Sequence, residues 1–318
     1  MFRSFSRSYV PHSTSLRFSV QKESVHWLYL ISALTLICAG CGLTTVPPLS
    51  TAPFGHVFIL VEENANYSDV IGSSTMPYLN DLANQYGLAT KYYADTHPSI
   101  GNYLMLTTGQ VLTNDDSQTP LSFPVSADNV VRELIASGKT WKQYAESIPS
   151  VGYVGGDSGE FATRHVPLPY MTDAQTTTQR QNIVPFTQFA TDLANDTLPN
   201  YTFITPNLCN DAHDCGLAVA DSWLQANIDP LTKSVSFQKD GLLIIVFDES
   251  VGDDTNGGGQ VAAVLISPFS KGGYKSSTVY QHESVLRLML EGLGVTNLPG
   301  SAATAPKMWE FFNFTPPS

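Results

Sequence analysis

The side chain best placed for chemistry in this sequence is the hydroxyl of Ser99. It follows Pro98, at the point where the segment Thr96–Gly109 changes from turn-forming residues to an apolar run. Proline favours the first turn of a helix, so Ser99 is expected among the free backbone N–H groups of a helix N-terminus, which attract anions. A hydroxyl there becomes a nucleophile when a metal or a base lowers its pKa. The alternative is that Ser99 only caps the helix, as serine often does.

Carboxylate and amide side chains follow two apolar runs that are typical of buried strands. The runs are His56–Val61 and Gly241–Phe247, and the polar residues after them include Glu63, Asn64, Asp248 and Glu249. Ligands of open α/β sheets bind outside the carboxyl ends of the strands, so these side chains are expected to converge there. Their oxygens are ligands for hard cations, which predicts a site for one divalent metal cation. Taken alone, Glu63 is equally explained as a helix or turn cap.

A third polar segment, Pro206–Cys215, crowds asparagine, aspartate and histidine side chains together. Such crowding is unfavourable unless a cation or a substrate compensates for the negative charge. The alternative is a polar surface loop without a chemical role.

The sequence T-H-P-S-I-G-N-Y of residues 96–103, continued by L-M-L-T-T-G, resembles the nucleophile segment of the bacterial acid phosphatase and phospholipase C family. That family belongs to the alkaline-phosphatase-like superfamily, and its members more often have proline where this chain has Gly101. No arginine follows Ser99 at the spacing that sulfatases show, which argues against sulfate ester hydrolysis. The resemblance extends from Gly55 to Gly294 and implies a three-layer α/β/α domain with a mostly parallel central sheet.

The resemblance also implies roles for individual side chains. The implied metal ligands are Glu63, Asn64, Ser99, Asp248 and Glu249. The implied catalytic residues are Ser99, Asn102, His165, His213 and His282, and the implied substrate-binding residues are Arg164 and Asp214. A histidine in a loop or in a first helical turn is also common without any catalytic role, and this remains the alternative for His165 and His282.

The N-terminal region has the features of an export signal. Residues 1–27 are polar and basic, and the apolar run Leu28–Ala39 is too short to span a bilayer. The run ends in L-I-C-A-G-C, which resembles a bacterial lipobox with Cys41 as the acylated residue. We therefore expect a lipoprotein signal peptide at 1–40, a tether at 41–54 and a phosphoesterase domain at 55–318. A signal peptide that is cleaved without lipidation is the alternative.

Cysteine usage and charge agree with an exported protein. Cys209 and Cys215 remain after the leader, and an even pair in an exported chain most simply forms a disulfide, with two metal-binding thiolates as the alternative. The chain carries a net charge of −12, which becomes −15 when residues 1–40, with four basic residues and one acidic residue, are removed. Such a surface disfavours nucleic acid and repels phosphate esters, so the substrate needs a local positive centre such as a metal.

Periodicity and turn signals predict the remaining elements. Helices are expected at 76–86, at 129–137 after a cap at Asp128, and at 285–293, with strands at 88–94, 141–145, 201–205 and 260–267. The expected function is metal-assisted hydrolysis of phosphate monoesters through a phosphoserine intermediate, on a small phosphate ester or a phospholipid head group. A phospholipase C or other phosphodiesterase is the enzymatic alternative, and a non-catalytic ligand-binding lipoprotein is the alternative of another class.

Overall fold

Strands and helices alternate along residues 52–314, the part of the chain that the computed structural model describes. The strands are β1 His56–Glu62, β2 Gly87–Tyr92, β3 Trp141–Ala145, β4 Ile183–Pro185, β5 Tyr201–Thr205, β6 Gly241–Phe247, β7 Ala263–Ile266 and β8 Tyr274–Tyr280. The α-helices are α1 Tyr67–Val70, α2 Pro77–Gln85, α3 Ser99–Thr108, α4 Val130–Ala136, α5 Thr187–Ala194, α6 Leu217–Thr232, α7 Val235–Asp240 and α8 His282–Gly292. The predicted signal peptide and Cys41 lie outside the described residues.

The strands form one sheet in the order β4-β3-β5-β1-β6-β7-β2-β8. β7 pairs antiparallel with both of its neighbours, and the other neighbouring pairs are parallel. All of these strands except β7 therefore point in one direction, and their carboxyl ends lie at the same edge. This confirms the predicted α/β fold with a mostly parallel central sheet.

β1 and β6 lie side by side in the middle of the sheet because both are apolar along most of their length. Apart from the half-buried first residue of β1, both strands are buried throughout, as expected where helices cover both faces. Val57 of β1 lies opposite Leu242 of β6, and the pairing of the two strands continues residue by residue until Glu62 lies opposite Phe247. The residues that follow the two strands carry the predicted ligands, and they therefore leave the sheet side by side.

Helices pack on both faces of the sheet and complete three layers. Phe58 and Ile59 are successive residues of β1 and point to opposite faces. Phe58 packs on Phe237 of α7, with ring centroids 6.1 Å apart. Phe203, which is in register with Ile59, packs on Tyr103 of α3 at 6.2 Å. α7 and α3 therefore cover opposite faces, with α6 beside α7 and α8 beside α3.

Two local expectations differ from the structure. Asn129, rather than Asp128, caps α4, because its side-chain oxygen accepts a hydrogen bond from the first turn of the helix. Phe54, which the sequence assigns to the tether, is fully buried against Trp309 and Phe312, so the packed domain already includes it. Its large apolar ring favours this burial. Within the described part of the chain, no helix has the length and apolar character needed to cross a membrane.

Candidate active site

The carboxyl ends of four strands deliver the candidate site. β1 leads directly into Glu63 and Asn64, and β6 leads directly into Asp248 and Glu249. β2 leads through a short loop into α3, and β5 leads into the polar loop 206–215. Because these strands are parallel, the four segments meet at one edge of the sheet, as expected for a ligand site in this class of fold.

Ser99 is the first residue of α3, and Pro98 occupies the N-cap position without a side-chain hydrogen bond. The Ser99 hydroxyl is buried and donates a hydrogen bond to Glu63 Oε2 at 3.1 Å. The same hydroxyl acts to lower the pKa of the Asp248 and Glu249 carboxyl groups, against the larger effect of their burial. Ser99 is therefore not a capping residue, and its side chain points into a cluster of carboxyl groups.

The two acidic strand ends contact each other beside Ser99. Asn64 adopts the left-handed backbone conformation (φ 46°), which asparagine tolerates better than most residues, and its N–H donates to Asp248 Oδ1 at 3.1 Å. Glu249 Oε2 lies 3.0 Å from Nδ1 of His97, a residue that the sequence analysis did not single out. The structure thus brings together all five residues of the predicted ligand set, which are Glu63, Asn64, Ser99, Asp248 and Glu249.

Burial controls the protonation of this carboxyl cluster. Removal from water raises the pKa of Glu63 well above its usual range, and the negative charges of Asp248 and Asp211 act in the same direction. Burial likewise raises the pKa of Asp248 to about 6 and, with the charge of Asp248 beside it, that of Glu249 to about 9. Carboxyl groups this close together hold protons unless a cation neutralises them.

Two oxygens of the cluster have no hydrogen-bond partner among the described residues. They are Asn64 Oδ1 and Asp248 Oδ2, and both are inaccessible to water. An orphaned buried acceptor costs about 1–3 kcal/mol, and coordination of a cation by either atom would offset that cost. Carboxylate, amide and hydroxyl oxygens are the donors that hard divalent cations prefer. The residues of the cluster therefore fit the predicted metal.

A buried histidine connects the cluster to the polar loop after β5. His165 Nε2 lies 3.4 Å from Glu63 Oε1, and its Nδ1 lies 3.3 Å from Asp211 Oδ2. Burial lowers the pKa of His165 well below its usual range, and the positive charges of Arg164 and His213 add to this. Ligand atoms of Glu63, His165 and Asp211 lie within 4.8 Å of one another, so this group could also hold a metal. His165 thus lies between two buried carboxyl groups.

Tyr103 and Asp211 are site residues that the sequence analysis missed. The Tyr103 hydroxyl donates a hydrogen bond to Glu63 Oε1, and its ring stacks on His165 with an interplanar angle of 6°. The backbone carbonyl of Asp211 accepts a hydrogen bond from Glu63 N–H at 2.7 Å. The available signal for Tyr103 is its position four residues after Ser99, which places both side chains on one face of the helix.

Three predicted residues form the more exposed side of the site. Arg164 Nη2 donates to His213 Nε2 at 3.3 Å, and His213 Nδ1 lies 2.7 Å from Asp214 Oδ1. Cys209 and Cys215 form a disulfide, as the sequence predicts, which closes the loop that carries the histidine. The thiolate alternative for the two cysteines is therefore wrong.

Two predicted catalytic residues instead hold other parts of the site in place. His282 Nε2 donates to the backbone carbonyl of Asp248 at 2.7 Å, and the Tyr92 hydroxyl donates to His282 Nδ1 at 2.9 Å. Burial lowers the pKa of His282 to about 4, so the ring is neutral. The Asn102 side-chain oxygen accepts hydrogen bonds from two backbone N–H groups of the loop before Ser99. Both ring nitrogens of His282 and the side-chain oxygen of Asn102 therefore already have partners within the protein.

Comparison with known proteins identifies the family of this chain. The model of the Phosphoesterase family matches residues 72–296. A phosphatidylinositol-3-phosphatase of Mycobacterium tuberculosis is 30% identical over 259 residues, which cover 81% of this chain and 83% of that protein. This chain belongs to the Phosphoesterase family. A probable acid phosphatase of Kluyveromyces lactis is 32% identical over 253 residues, or 76% of this chain and 58% of that protein, so the phosphoesterase spans little more than half of this longer relative.

Solved structures support the same fold. A protein of the alkaline phosphatase superfamily from Vibrio parahaemolyticus aligns with a TM-score of 0.53 at 14% identity, covering 80% of this phosphoesterase and 70% of that chain. This likeness confirms the alkaline-phosphatase-like fold. Family membership makes the protein a hydrolase that acts on phosphoric ester bonds. The expectation of an enzyme is thereby confirmed.

Proposed function

We propose that this phosphoesterase hydrolyses phosphate monoesters with Ser99 as the nucleophile and a phosphoserine intermediate. The observation that carries the proposal is the position of the Ser99 hydroxyl, at the N-terminus of α3 and hydrogen-bonded to Glu63 inside the carboxyl cluster. The relatives named as phosphatases support monoesters, including phosphorylated lipid head groups, over the diesters of a phospholipase C.

The proposal includes one divalent cation, and its ligands would be Glu63, Asn64, Ser99, Asp248 and Glu249. When bound, the cation lowers the pKa of the serine hydroxyl and neutralises charge on the phosphoryl group. The support is the pair of orphaned oxygens in the cluster and the absence of any soft ligand among the five residues. Tyr103, His165 and His282 act as positioning residues, because each contacts a ligand residue rather than the open side of the site.

The reaction has two chemical steps, which are transfer of the phosphoryl group to Ser99 and hydrolysis of the phosphoserine. Ser99 Oγ attacks phosphorus, the bond to the leaving alcohol breaks, and Arg164 with the free N–H groups of α3 binds the phosphoryl oxygens. Once Arg164 has turned from His213 to the phosphoryl group, the protonated His213 ring, oriented by Asp214 at Nδ1, donates the proton on Nε2 to the leaving oxygen. The proton of the Ser99 hydroxyl leaves to solvent in this first step. In the second step water attacks the phosphoserine and gives a proton to His213, inorganic phosphate is released, and Ser99 Oγ recovers a proton from solvent.

We also propose that the protein is exported and attached to a membrane through a lipid on Cys41, after removal of residues 1–40. The Cys209–Cys215 disulfide supports export, since disulfides persist in oxidising compartments. Mass spectrometry of the mature N-terminus tests this, and an unmodified Cys41 in the mature chain would contradict the lipid anchor.

The nucleophile is tested by Ser99→Ala. We expect hydrolysis of p-nitrophenyl phosphate to fall by about 10³-fold or more, as when other nucleophiles are removed, while the melting temperature measured by circular dichroism stays close to that of the wild type. Ser277→Ala removes an exposed hydroxyl of β8 and serves as the control. Turnover that survives in Ser99→Ala would discard the mechanism.

The ester class and the cation are tested on the wild type. Activity on p-nitrophenyl phosphate is expected to exceed that on bis(p-nitrophenyl) phosphate, to disappear with a chelator and to return when a divalent cation is added. Preference for the diester would favour the phospholipase C alternative, and full activity in excess chelator would remove the cation from the proposal.

A further inference from the structure

The segment Val111–Ser117, here called the strap, folds over the start of α3 and places a carboxylate beside Ser99. Asp116 Oδ1 accepts a hydrogen bond from the backbone N–H of Ile100 at 3.0 Å. Its other oxygen lies 3.7 Å from Nε of Arg164. Asp116 is thus held by two groups that come from different parts of the chain.

These partners of Asp116 are groups that the proposed function assigns to the phosphoryl group. Free N–H groups at a helix N-terminus and arginine guanidinium groups both bind phosphate oxygens. The charge of Asp116 also contributes to the raised pKa of Glu249, so the carboxylate lies within electrostatic reach of the cluster. In this structure Asp116 therefore occupies part of the anion-binding position.

Gly101 allows the strap to approach so closely. A Cβ atom at this residue would overlap Asn114 Oδ1 and lie 3.2 Å from the Val111 side chain. Asn114 Nδ2 also donates to Thr96 Oγ1 at 2.9 Å, which fastens the strap to the loop before the nucleophile. The proline that the resembling sequences more often carry at this position would meet the same atoms. The close contact of the strap therefore depends on the glycine of this chain.

We propose that Asp116 is a specificity-determining residue, whose carboxylate competes with the phosphoryl group of the substrate for Ile100 N–H and Arg164. This inference rests on the proposed function of the site. Substrate binds by displacing the carboxylate, and the displaced charge stays close because the strap is fastened at Asn114. Coulomb repulsion is proportional to charge, so a monoester dianion is repelled about twice as strongly as a diester monoanion. Asp116 therefore weakens the binding of monoesters more than that of diesters.

The competition is tested by the affinity for inorganic phosphate. Asp116→Asn keeps an acceptor for Ile100 N–H but removes the charge, and Asp116→Ala removes both. Calorimetric titration of the purified, metal-loaded proteins is expected to show about tenfold tighter phosphate binding in both variants, since a like charge has been removed from a partly exposed anion site. Asp115→Asn removes the same charge from the neighbouring exposed residue, whose carboxylate bonds only within its own turn, and is expected to leave the affinity within about twofold of the wild type.

Specificity is tested by kcat/KM for p-nitrophenyl phosphate relative to bis(p-nitrophenyl) phosphate. We expect this ratio to rise severalfold in Asp116→Asn and to stay unchanged in Asp115→Asn. Asn114→Ala releases the strap without altering Asp116, and is expected to tighten phosphate binding in the same direction. An increase of the same size in the Asp115 variant would show a general charge effect and would overturn the specific role of Asp116.

The failure of this inference can be told apart from the failure of the proposed function. Equal or weaker phosphate binding in both Asp116 variants would overturn the competition and would leave the chemistry of Ser99 untouched. Turnover in Ser99→Ala would overturn the nucleophile, whatever the phosphate titrations show.

Discussion

At the scale of single residues, the site depends on how firmly Glu63 is oriented. Its Oε2 accepts a hydrogen bond from Ser99, and its Oε1 accepts one from Tyr103 and faces His165. Burial raises the pKa of Tyr103 well above its usual range, so this hydroxyl remains a donor. Residues that fix a metal-binding carboxylate often matter to metal affinity almost as much as the ligand itself. Tyr103 is the clearest candidate for that role here.

Tyr103→Phe tests this role because it removes one oxygen and keeps the stacked ring. We expect the affinity for the divalent cation to fall by about 10–100-fold, with kcat largely recovered once the cation is saturating. Calorimetric titration of the chelator-stripped protein gives the affinity directly. Tyr153→Phe, whose hydroxyl bonds to the Gly156 carbonyl outside the cluster, is the matched control. Equal cation affinity in both variants and the wild type would contradict a positioning role.

At the scale of elements, α2 is capped by a side chain from another helix. Met76 occupies the N-cap of α2 and provides no side-chain hydrogen bond. The carboxylate of Asp221 in α6 instead accepts hydrogen bonds from the N–H groups of Tyr78 and Leu79, both at 2.9 Å. The negative charge also complements the positive end of the helix dipole. Asp221 therefore ties together two helices that are distant in sequence.

Asp221→Ala is expected to destabilise the fold by about 2 kcal/mol, because two N–H groups lose a largely buried charged acceptor. Asp229→Ala on the same helix removes only an ion pair with the exposed Lys233, and should cost less than about 1 kcal/mol. Urea unfolding followed by circular dichroism measures both changes. A cost for Asp221→Ala no larger than for Asp229→Ala would refute the capping role.

At the scale of the whole molecule, the sequence predicts the parts of the site that parallel strands deliver. Glu63 and Asp248 could be placed together because each follows an apolar run, and the sheet brings such ends to one edge. Asp116 could not be placed in this way, and Asp211, although its loop follows β5, could not be assigned as a partner of Glu63 and His165. Both aspartates reach the site through loops with no hydrophobic period, whose paths depend on packing between distant segments. Likewise, the sequence identifies His282 as a site residue, but it does not show that both ring nitrogens form hydrogen bonds within the protein.

The carboxyl cluster also couples the stability of the whole molecule to pH. The folded chain raises the pKa of Asp248 to about 6, of Asp211 to about 7 and of Glu249 to about 9, mainly through burial. In the unfolded chain such groups ionise near pH 4. For these groups the folded state therefore binds protons more tightly, and their contribution to stability falls as pH rises from about 4 to about 9. The buried, neutral His282 acts in the opposite direction below about pH 6.5, where the unfolded chain binds a proton that the folded chain does not.

We accordingly expect the metal-stripped protein to melt about 5–10 °C lower at pH 8 than at pH 5. A divalent cation needs the ionised carboxylates, so adding it should restore stability more at pH 8 than at pH 5. Differential scanning calorimetry with and without chelator measures both effects. The double variant Asp248→Asn, Glu249→Gln controls for the general repulsion of an acidic chain, because it keeps most of the net charge and loses two of the titrating groups. If this variant and the wild type show the same dependence on pH without metal, the cluster is not its origin.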